Sequence, residues 1–130
     1  MWVTMIAGIG IDSIEINRFS NWHTYPYSQL KKIFTPQEIN YCLACPNLST
    51  QRFAARFATK EAAFKAWSQA TGSAPLPLFS WFSSVEVCID KKYPILKIMR
   101  AESVDYRLWV SITHTKSTAT SMVVIEFIGK

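Results

Sequence analysis

One stretch decides the fold of this chain: Arg52–Trp67, which reads RFAARFATKEAAFKAW. Alanine recurs throughout it, β-branched residues are nearly absent, and neither Gly nor Pro interrupts it. This composition predicts one long helix, because alanine favours the helical backbone and the residues that break it are missing. Ser49 or Thr50 is placed to cap its start, and we expect the helix to end near Gln69.

The charges on this helix have an unusual arrangement. Three cations recur at every fourth position and therefore share one face: Arg52, Arg56 and Lys60. Glu61 follows them, one turn after Phe57 and one turn before Lys65. A lone carboxylate beside a row of cations indicates a site where a phosphate-rich ligand and a metal ion meet. A simple ion pair between Glu61 and Lys65 is the alternative.

Length and charge bound the function. With 130 residues, of which 49% are hydrophobic and 18% are charged, the chain has a globular balance, and we expect one domain over residues 1–130. The formal net charge is +5 and the pI is about 9.2. This basicity favours an anionic partner, such as nucleic acid, a membrane surface, an acidic protein or a phosphorylated small molecule. Alternatively, it serves only solubility.

The three cysteines, Cys42, Cys45 and Cys88, do not predict a disulfide framework, because one would be left over. Cys42 and Cys45 have the spacing of half a zinc site, but no second pair of Cys or His follows at a suitable distance. No run reaches the roughly 18 apolar residues of a membrane span, and Met1–Ile11 lacks the basic start of a signal peptide. We therefore expect free thiols, a reducing cytoplasm and no membrane partner.

The first third of the chain combines a strand with short helices. Val3–Ile11 is an apolar, β-branched run, and its Gly8 and Gly10 indicate that another backbone approaches closely. Thr35–Glu38 reads TPQE, a capping box that begins a helix ending near Ala44. Ile14–Phe19 is expected to be a short helix, and Asn21–Ser28, which contains Pro26, is expected to be a loop or a broken turn.

The second half of the chain predicts further strands. Phe79–Phe82 is expected to be a packed aromatic patch. Four segments after it have strand composition: Val85–Ile89, Ile95–Met99, Leu108–Thr113 and Ala119–Ile128. Together with the helices, they predict an α+β fold in which a mostly antiparallel sheet packs against one long helix and shorter helices.

Asp12 and Glu61, from distant segments, are candidates for one metal site. Asp12 stands at the predicted end of the first strand, where capping a helix is the ordinary role of an aspartate. With Glu61, it offers the oxygen ligands that Mg²⁺ takes from proteins, while water and substrate phosphate complete the coordination. Lys65 and His114 are candidates to contact phosphate, although an ion pair and a structural histidine are the simpler interpretations.

Five segments resemble one known family. They are Gly8–Asp12 with Glu15 and Arg18, Phe34–Glu38, Arg56–Ala66, Ser111–Thr115 and Val123–Glu126. Their order and spacing, over nearly the whole chain, resemble the holo-acyl-carrier-protein synthases, the small single-repeat class of 4′-phosphopantetheinyl transferases. The resemblance implies the 4′-phosphopantetheinyl transferase fold and a homotrimer with its sites in the clefts between subunits.

By this resemblance, the chain moves 4′-phosphopantetheine from coenzyme A to a serine of apo-acyl carrier protein and releases adenosine 3′,5′-bisphosphate, in fatty acid biosynthesis. Asp12 and Glu61 would hold Mg²⁺ on the pyrophosphate, and the catalytic residues would be Glu61 and Lys65. The serine proton would go to Glu61 or to a water on the metal. The family's coenzyme-binding positions correspond to Arg56, Phe57, Lys60, Lys65 and His114. Arg18 would face the acidic carrier protein.

Two other functions stay open at the level of the sequence. A non-catalytic basic module could bind nucleic acid or an acidic protein through its four helix cations, Arg52, Arg56, Lys60 and Lys65. This leaves Asp12 and Glu61 without a role, because carboxylates repel phosphate unless a cation lies between them. A family member that has lost its activity is the other alternative, and the presence of both carboxylates, the lysine and the histidine argues against it. We therefore expect a transferase with no nucleic acid partner.

Overall fold

The structure, a computed structural model, describes residues 3–75 and 77–129. Within them, the strands are Val3–Glu15 (β1), Val85–Asp90 (β2), Tyr93–Ile98 (β3), Tyr106–His114 (β4) and Thr118–Gly129 (β5). The α-helices are Tyr27–Leu30 (α1), Pro36–Leu43 (α2), Ser49–Thr71 (α3) and Leu78–Ser83 (α4). Short 3₁₀ helices lie at Ile16–Phe19, Trp22–Thr24, Pro46–Leu48 and Ala101–Asp105. The predicted α+β class is confirmed.

The strands pair in antiparallel fashion and form two sheets. β1, β5 and β4 form a three-stranded sheet in that order, and β2 and β3 form a separate hairpin. The hairpin turns at Lys91 and Lys92, and Lys91 adopts a φ of 59°. The antiparallel pairing is as predicted, but the strands divide between two sheets instead of forming one. None of the helices in the described ranges is long and apolar enough to cross a membrane.

Helix α3 lies directly against β1 because two glycines leave room for it. A Cβ atom on Gly8 would lie 2.0 Å from the carbonyl oxygen of Ala66, and one on Gly10 would lie 1.9 Å from that of Ala62. Any larger residue at either position would therefore push the helix away from the strand. The close backbone approach predicted from these glycines is confirmed, and the alanine-rich face of α3 is what approaches.

Aromatic side chains fill the space between α3 and the remaining elements. Trp81 and Phe82 of α4 are buried, and the indole Nε1 of Trp81 donates a hydrogen bond to the carbonyl oxygen of Lys60 at 3.1 Å. The predicted packed aromatic patch is therefore confirmed for these two residues, whereas Phe79 is exposed. This packing covers the side of α3 that faces away from β1.

Two predictions about the first third of the chain differ in part from the structure. β1 continues through Asp12 to Glu15, so only Ile16–Phe19 forms a helix, and that helix is of the 3₁₀ type. The strand continues because β5 pairs with every residue from Asp12 to Glu15. The segment Asn21–Ser28, predicted to be a loop or a broken turn, contains a single 3₁₀ turn over Trp22–Thr24 and the start of α1. Asp12 therefore does not cap a helix.

The helix boundaries follow local chemistry. The capping box is confirmed: the Glu38 amide donates to Thr35 Oγ1 at 3.3 Å, and the Thr35 amide donates to Glu38 Oε1 at 2.8 Å. Helix α3 is longer than predicted at both ends. Its start carries no side-chain cap, and Gly72 ends it with a φ of 74°, which only glycine adopts easily.

Candidate active site

Asp12 and Lys65 meet where β1 crosses α3. The ammonium group of Lys65 donates a hydrogen bond to the carbonyl oxygen of Ile11 at 2.9 Å, and it lies 3.4 Å from Asp12 Oδ1. The side chains of Lys65 and Asp12 remain 54% and 20% exposed, respectively. Lys65 is thus paired with Asp12 and not with Glu61, so the alternative of a Glu61–Lys65 ion pair is not what the fold contains.

The same crossing brings Asp12 toward Glu61. Gly8 lies against Ala66, and Gly10 lies against Ala62. A step of two residues forward along β1 therefore corresponds to about one turn back along α3. Alternate residues of a strand share a face, and Asp12 therefore continues this series toward the turn that ends at Glu61. The strand and the helix together assemble the two carboxylates that lie far apart in the sequence.

The electrostatic environment of Glu61 reflects this neighbour. Partial burial raises the pKa of Glu61 above its ordinary value, and the charge of Asp12 raises it further. Lys65 and Arg18 act in the opposite direction and lower this pKa, less than burial raises it. The two carboxylates therefore repel each other when both are ionised, and a cation between them would relieve that repulsion.

The two carboxylates fit a magnesium ion by their chemistry. Mg²⁺ prefers oxygen ligands, and proteins commonly supply only one or two carboxylates, while water and phosphate oxygens occupy the other positions. Within residues 3–75 and 77–129, no group of three or more His, Cys, Asp or Glu side chains comes together. Asp12 and Glu61 could together supply two carboxylate ligands, and Lys65 lies beside Asp12.

A second polar group lies nearer the start of α3. Tyr41, Arg52, Arg56 and His114 line one cavity of about 220 Å³. Gln51 Nε2 lies 2.9 Å from His114 Nε2 and fixes the imidazole ring at the end of β4. Arg56 is only 4% exposed, and its Nε has no hydrogen-bond partner among the described residues. Cationic groups with unused donors at a cavity are suited to phosphate oxygens.

Lys60 does not belong to an exposed cationic face. It is fully buried, with its Nζ 2.6 Å from Glu38 Oε1, and it donates hydrogen bonds to the carbonyl oxygens of Ile33 at 2.7 Å and Phe82 at 2.8 Å. These contacts use all three N–H groups of the ammonium. The expectation that Lys60 binds coenzyme is therefore wrong, because its charge lies inside the protein and is already satisfied.

Phe57 also has a packing role. Its ring lies 5.4 Å from that of Phe19, 5.5 Å from that of Phe82 and 6.4 Å from that of Trp22, measured between centroids. It does not line the cavity beside Arg56, and its expected place next to the coenzyme stays a prediction. Arg18, in contrast, is exposed and near enough to Glu61 for its charge to lower the pKa of that carboxyl.

Two residues with important contacts were not predicted from the sequence. Glu38 was recognised only as part of a capping box, yet its Oε2 also accepts a hydrogen bond from the Val87 amide at 2.8 Å, and its Oε1 binds Lys60. Tyr41 lies with its ring against Arg52 and Arg56. The capping-box motif is a sequence signal for Glu38 alone. The contacts of Glu38 with Lys60 and of Tyr41 with the arginines depend on how α2 packs against α3, and no local pattern indicates them.

Comparison with known proteins identifies relatives of the whole chain. A family model described as the 4′-phosphopantetheinyl transferase superfamily matches residues 8–123. A holo-[acyl-carrier-protein] synthase of Halothermothrix orenii is 37% identical over 130 residues, covering 94% of this chain and 98% of that protein. The holo-[acyl-carrier-protein] synthase of Chlamydia trachomatis is 36% identical over 123 residues, covering 92% of this chain and 98% of that protein.

Solved structures are similar over the same extent. One is a holo-(acyl-carrier-protein) synthase from Bacillus anthracis in complex with CoA (3′,5′-ADP), which matches with a TM-score of 0.73 at 33% identity. The match covers 95% of this chain and 98% of that one. Sequence and fold therefore agree on the same group of proteins.

Proposed function

This chain belongs to the 4′-phosphopantetheinyl transferase superfamily, and from that premise we propose that it converts apo-acyl carrier protein to its holo form. The serine oxygen of the carrier protein forms a bond to the phosphorus of 4′-phosphopantetheine in coenzyme A. The pyrophosphate bond breaks, adenosine 3′,5′-bisphosphate leaves, and the serine gives its proton to Glu61 or to water. The product serves fatty acid biosynthesis. The observation that carries this proposal is the meeting of Asp12, Glu61 and Lys65 at the crossing of β1 and α3.

Each of these residues has a role that suits its contacts. Asp12 and Glu61 would hold Mg²⁺, which would supply positive charge to offset the negative charge of the pyrophosphate. Lys65 places its ammonium group on the oxygen of the leaving phosphate. Its contact with Asp12 is long, at 3.4 Å, and more than half of its side chain is exposed, so a phosphate oxygen can replace that contact at little cost.

The cavity beside α2 suits the rest of the coenzyme. Arg56 and His114 line it, and both can donate hydrogen bonds to phosphate oxygens. Lys60 and Phe57 are left out of this proposal because one is buried in an ion pair and the other packs in the core. Nucleic acid binding is not favoured, since the burial of Lys60 interrupts the cationic face that it requires.

The acidic carrier protein would dock beside the carboxylates. Arg18 is exposed on the 3₁₀ helix that follows β1, and its charge reaches Glu61. Lys31 and Lys32 are exposed further along, and Lys32 also borders a cavity of about 610 Å³ together with Trp22 and other residues. These cations give this side of the protein the positive charge that attracts an acidic partner.

We propose a homotrimer in which the open face of the three-stranded sheet forms the subunit contact. Ile11 and Met122 are register partners on this face, Ile9 and Trp109 lie beside them, and all four are exposed. A contiguous apolar face of this kind favours association with another protein surface. The number of subunits follows from the resemblance to the family.

We also propose that residues 1–130 form a single transferase domain, and that it works in a reducing cytoplasm. The latter is supported by the three cysteines, all of which are free.

The test is incubation with a bacterial apo-acyl carrier protein, coenzyme A and Mg²⁺, read by intact mass spectrometry. We expect the carrier to gain the mass of one phosphopantetheine group, and EDTA to prevent the gain. As a control, a reference transferase should modify the same carrier with the same coenzyme A. If it does and this protein leaves the carrier mass unchanged, the proposed function is contradicted. Gain of mass in EDTA would contradict only the role of the metal.

A further inference from the structure

Tyr41 contacts two guanidinium groups at once. The Cζ atom of Arg52 lies 3.9 Å from the centroid of its ring, and that of Arg56 lies 4.1 Å from the same centroid. Arg52 Nη1 also donates a hydrogen bond to the backbone carbonyl of Tyr41 at 2.7 Å. One residue of α2 therefore holds two cations of α3 in fixed positions, through its ring and its carbonyl oxygen.

These two cations lack a balancing anion. Among residues 3–75 and 77–129, no carboxylate forms an ion pair with Arg52 or Arg56. Arg56 is 4% exposed, and its Nε has no hydrogen-bond partner in the same ranges. Two like charges held against one ring repel each other, and the electron-rich ring face offsets only part of that repulsion. An anion in the adjoining cavity would satisfy both guanidinium groups.

The cavity itself is suited to a small, highly charged group. It has a volume of about 220 Å³, and His114 faces it together with the two arginines. A neighbouring cavity of about 320 Å³ shares Tyr41 and Arg56 with it and is otherwise lined largely by apolar residues such as Val87 and Ile89. Apolar side chains such as Leu48, Ile89 and Ile112 also line the first cavity, so cations and apolar groups lie side by side, which fits a phosphate attached to a flat organic group.

We propose that Tyr41 is a positioning residue that holds Arg52 and Arg56 as a paired site for a phosphate monoester. This inference rests on the proposed function, in which the monoester is the 3′-phosphate of coenzyme A. A monoester carries nearly two negative charges at neutral pH, and two guanidinium groups match that charge and its oxygens. The pyrophosphate belongs instead with Asp12 and Glu61, since Glu61 lies about 14 Å along the helix from Arg52.

The first test compares Tyr41→Leu with Tyr41→Phe, using coenzyme A and dephospho-coenzyme A as substrates. Tyr41 is partly exposed, so both variants should fold. We expect Tyr41→Leu to raise the KM for coenzyme A by about tenfold while kcat changes less than about twofold, because only ground-state positioning is lost. The KM for dephospho-coenzyme A, which lacks the monoester, should change little. Tyr41→Phe keeps the aromatic face and should behave like the unmodified protein.

A purely structural role for Tyr41 would instead weaken both substrates alike, or lower kcat, and that result would overturn the inference while leaving the proposed function intact. The inference also fails if Tyr41→Leu leaves the KM for coenzyme A unchanged.

A binding experiment separates this inference from the proposed function. Calorimetry with adenosine 3′,5′-bisphosphate and adenosine 5′-monophosphate requires no transfer activity. We expect the unmodified protein to bind the bisphosphate more tightly than the monophosphate. In Tyr41→Leu, the ratio of the two dissociation constants should fall by about tenfold. If transfer is absent but this preference is present and depends on Tyr41, only the proposed reaction is wrong. If neither variant alters the preference, or the preference is absent, the paired site is wrong.

Discussion

Helix α3 carries two ion pairs whose surroundings are opposite. The pair of Lys60 with Glu38 is fully buried, with a distance of 2.6 Å, and further hydrogen bonds satisfy both partners. The pair of Lys65 with Asp12 lies one turn and a residue further along, with a distance of 3.4 Å, and solvent reaches both side chains. The same helix thus places Lys60 in the protein interior and Lys65 at the solvent-exposed surface.

The difference separates structural charge from functional charge on one helix. A buried pair is stable only when every donor and acceptor has a partner, and the Lys60–Glu38 pair meets this requirement by joining α2, α3, α4 and β2. Asp12, Glu61 and Lys65 retain unused binding capacity, and the repulsion between the two carboxylates is relieved only partly by Lys65. Charged groups that are accessible and only partly paired, as these are where β1 crosses α3, are what a phosphate ligand and its cation require.

The largest expected effect comes from removing one charge of the buried pair. Glu38→Gln should lower the free energy of unfolding by about 3–5 kcal/mol, because Lys60 would remain buried without a countercharge. Urea denaturation at neutral pH measures this loss. The matched control is Asp12→Asn, which makes the same carboxylate-to-amide change in the exposed pair and should cost less than about 1 kcal/mol. Equal losses in the two variants would show that the two pairs are not different in kind.

The next effect separates activity from stability. Glu61→Ala should reduce transfer to the carrier protein by about 100-fold or more, because a ligand to the charge-neutralising cation is lost. Its melting temperature without divalent cations should stay the same or rise. A carboxyl whose pKa is raised on folding destabilises the native state when the pH is above that pKa, so removing it at neutral pH relieves a cost.

Activity is measured by intact mass of the carrier protein, and stability by thermal unfolding. Full activity in Glu61→Ala would contradict the assignment of Glu61 to the metal. A large drop in melting temperature would instead indicate that Glu61 has a structural role like that of Glu38.

The smallest effect concerns Cys42, a buried thiol whose reactivity reports on solvent access to the region of the Lys60–Glu38 pair. Burial raises the pKa of its thiol to about 12, so almost no thiolate forms at pH 8. We expect iodoacetamide at pH 8 to alkylate Cys45 first and to leave Cys42 unmodified until the protein unfolds, as read by peptide mass spectrometry. In Glu38→Gln, Cys42 should lose part of this protection. Rapid alkylation of Cys42 in the unmodified protein would mean that this region is open to solvent.

Sequence reasoning succeeded where a local rule determines the structure. Thr35 and Glu38 form a capping box because their spacing fits the first turn of a helix. Gly8 and Gly10 predicted a close backbone approach because a strand glycine commonly marks one. The hypothesis that Asp12 and Glu61 form one site is supported by the influence of Asp12 on the pKa of Glu61.

The sequence does not predict the exposure of the charged residues on α3, because that exposure depends on which elements cover the helix. Helical periodicity places Arg56 and Lys60 on one face, but it does not say that Phe82, Ile33 and Glu38 close over Lys60 while Arg56 keeps access to a cavity. The role of Tyr41 was missed for the same reason, since its partners come from another helix. Such contacts join residues that are distant in the sequence, and single-chain patterns carry little information about them.

The contact of bare backbones at Gly8 and Gly10 has a consequence for motion in the site. Where side chains separate two elements, changes of rotamer let the elements shift against each other, but at Gly8 and Gly10 no side chain of β1 lies between the strand and α3. The backbones that carry Asp12 and Glu61 should therefore fluctuate together on the picosecond to nanosecond timescale. Lys65 has a long, flexible stem and an exposed end, and it is the member of the site that is free to follow the substrate. The stiffness of the carboxylate positions thus originates in two residues that have no side chain, whereas the freedom of the cation originates in the stem of Lys65 itself.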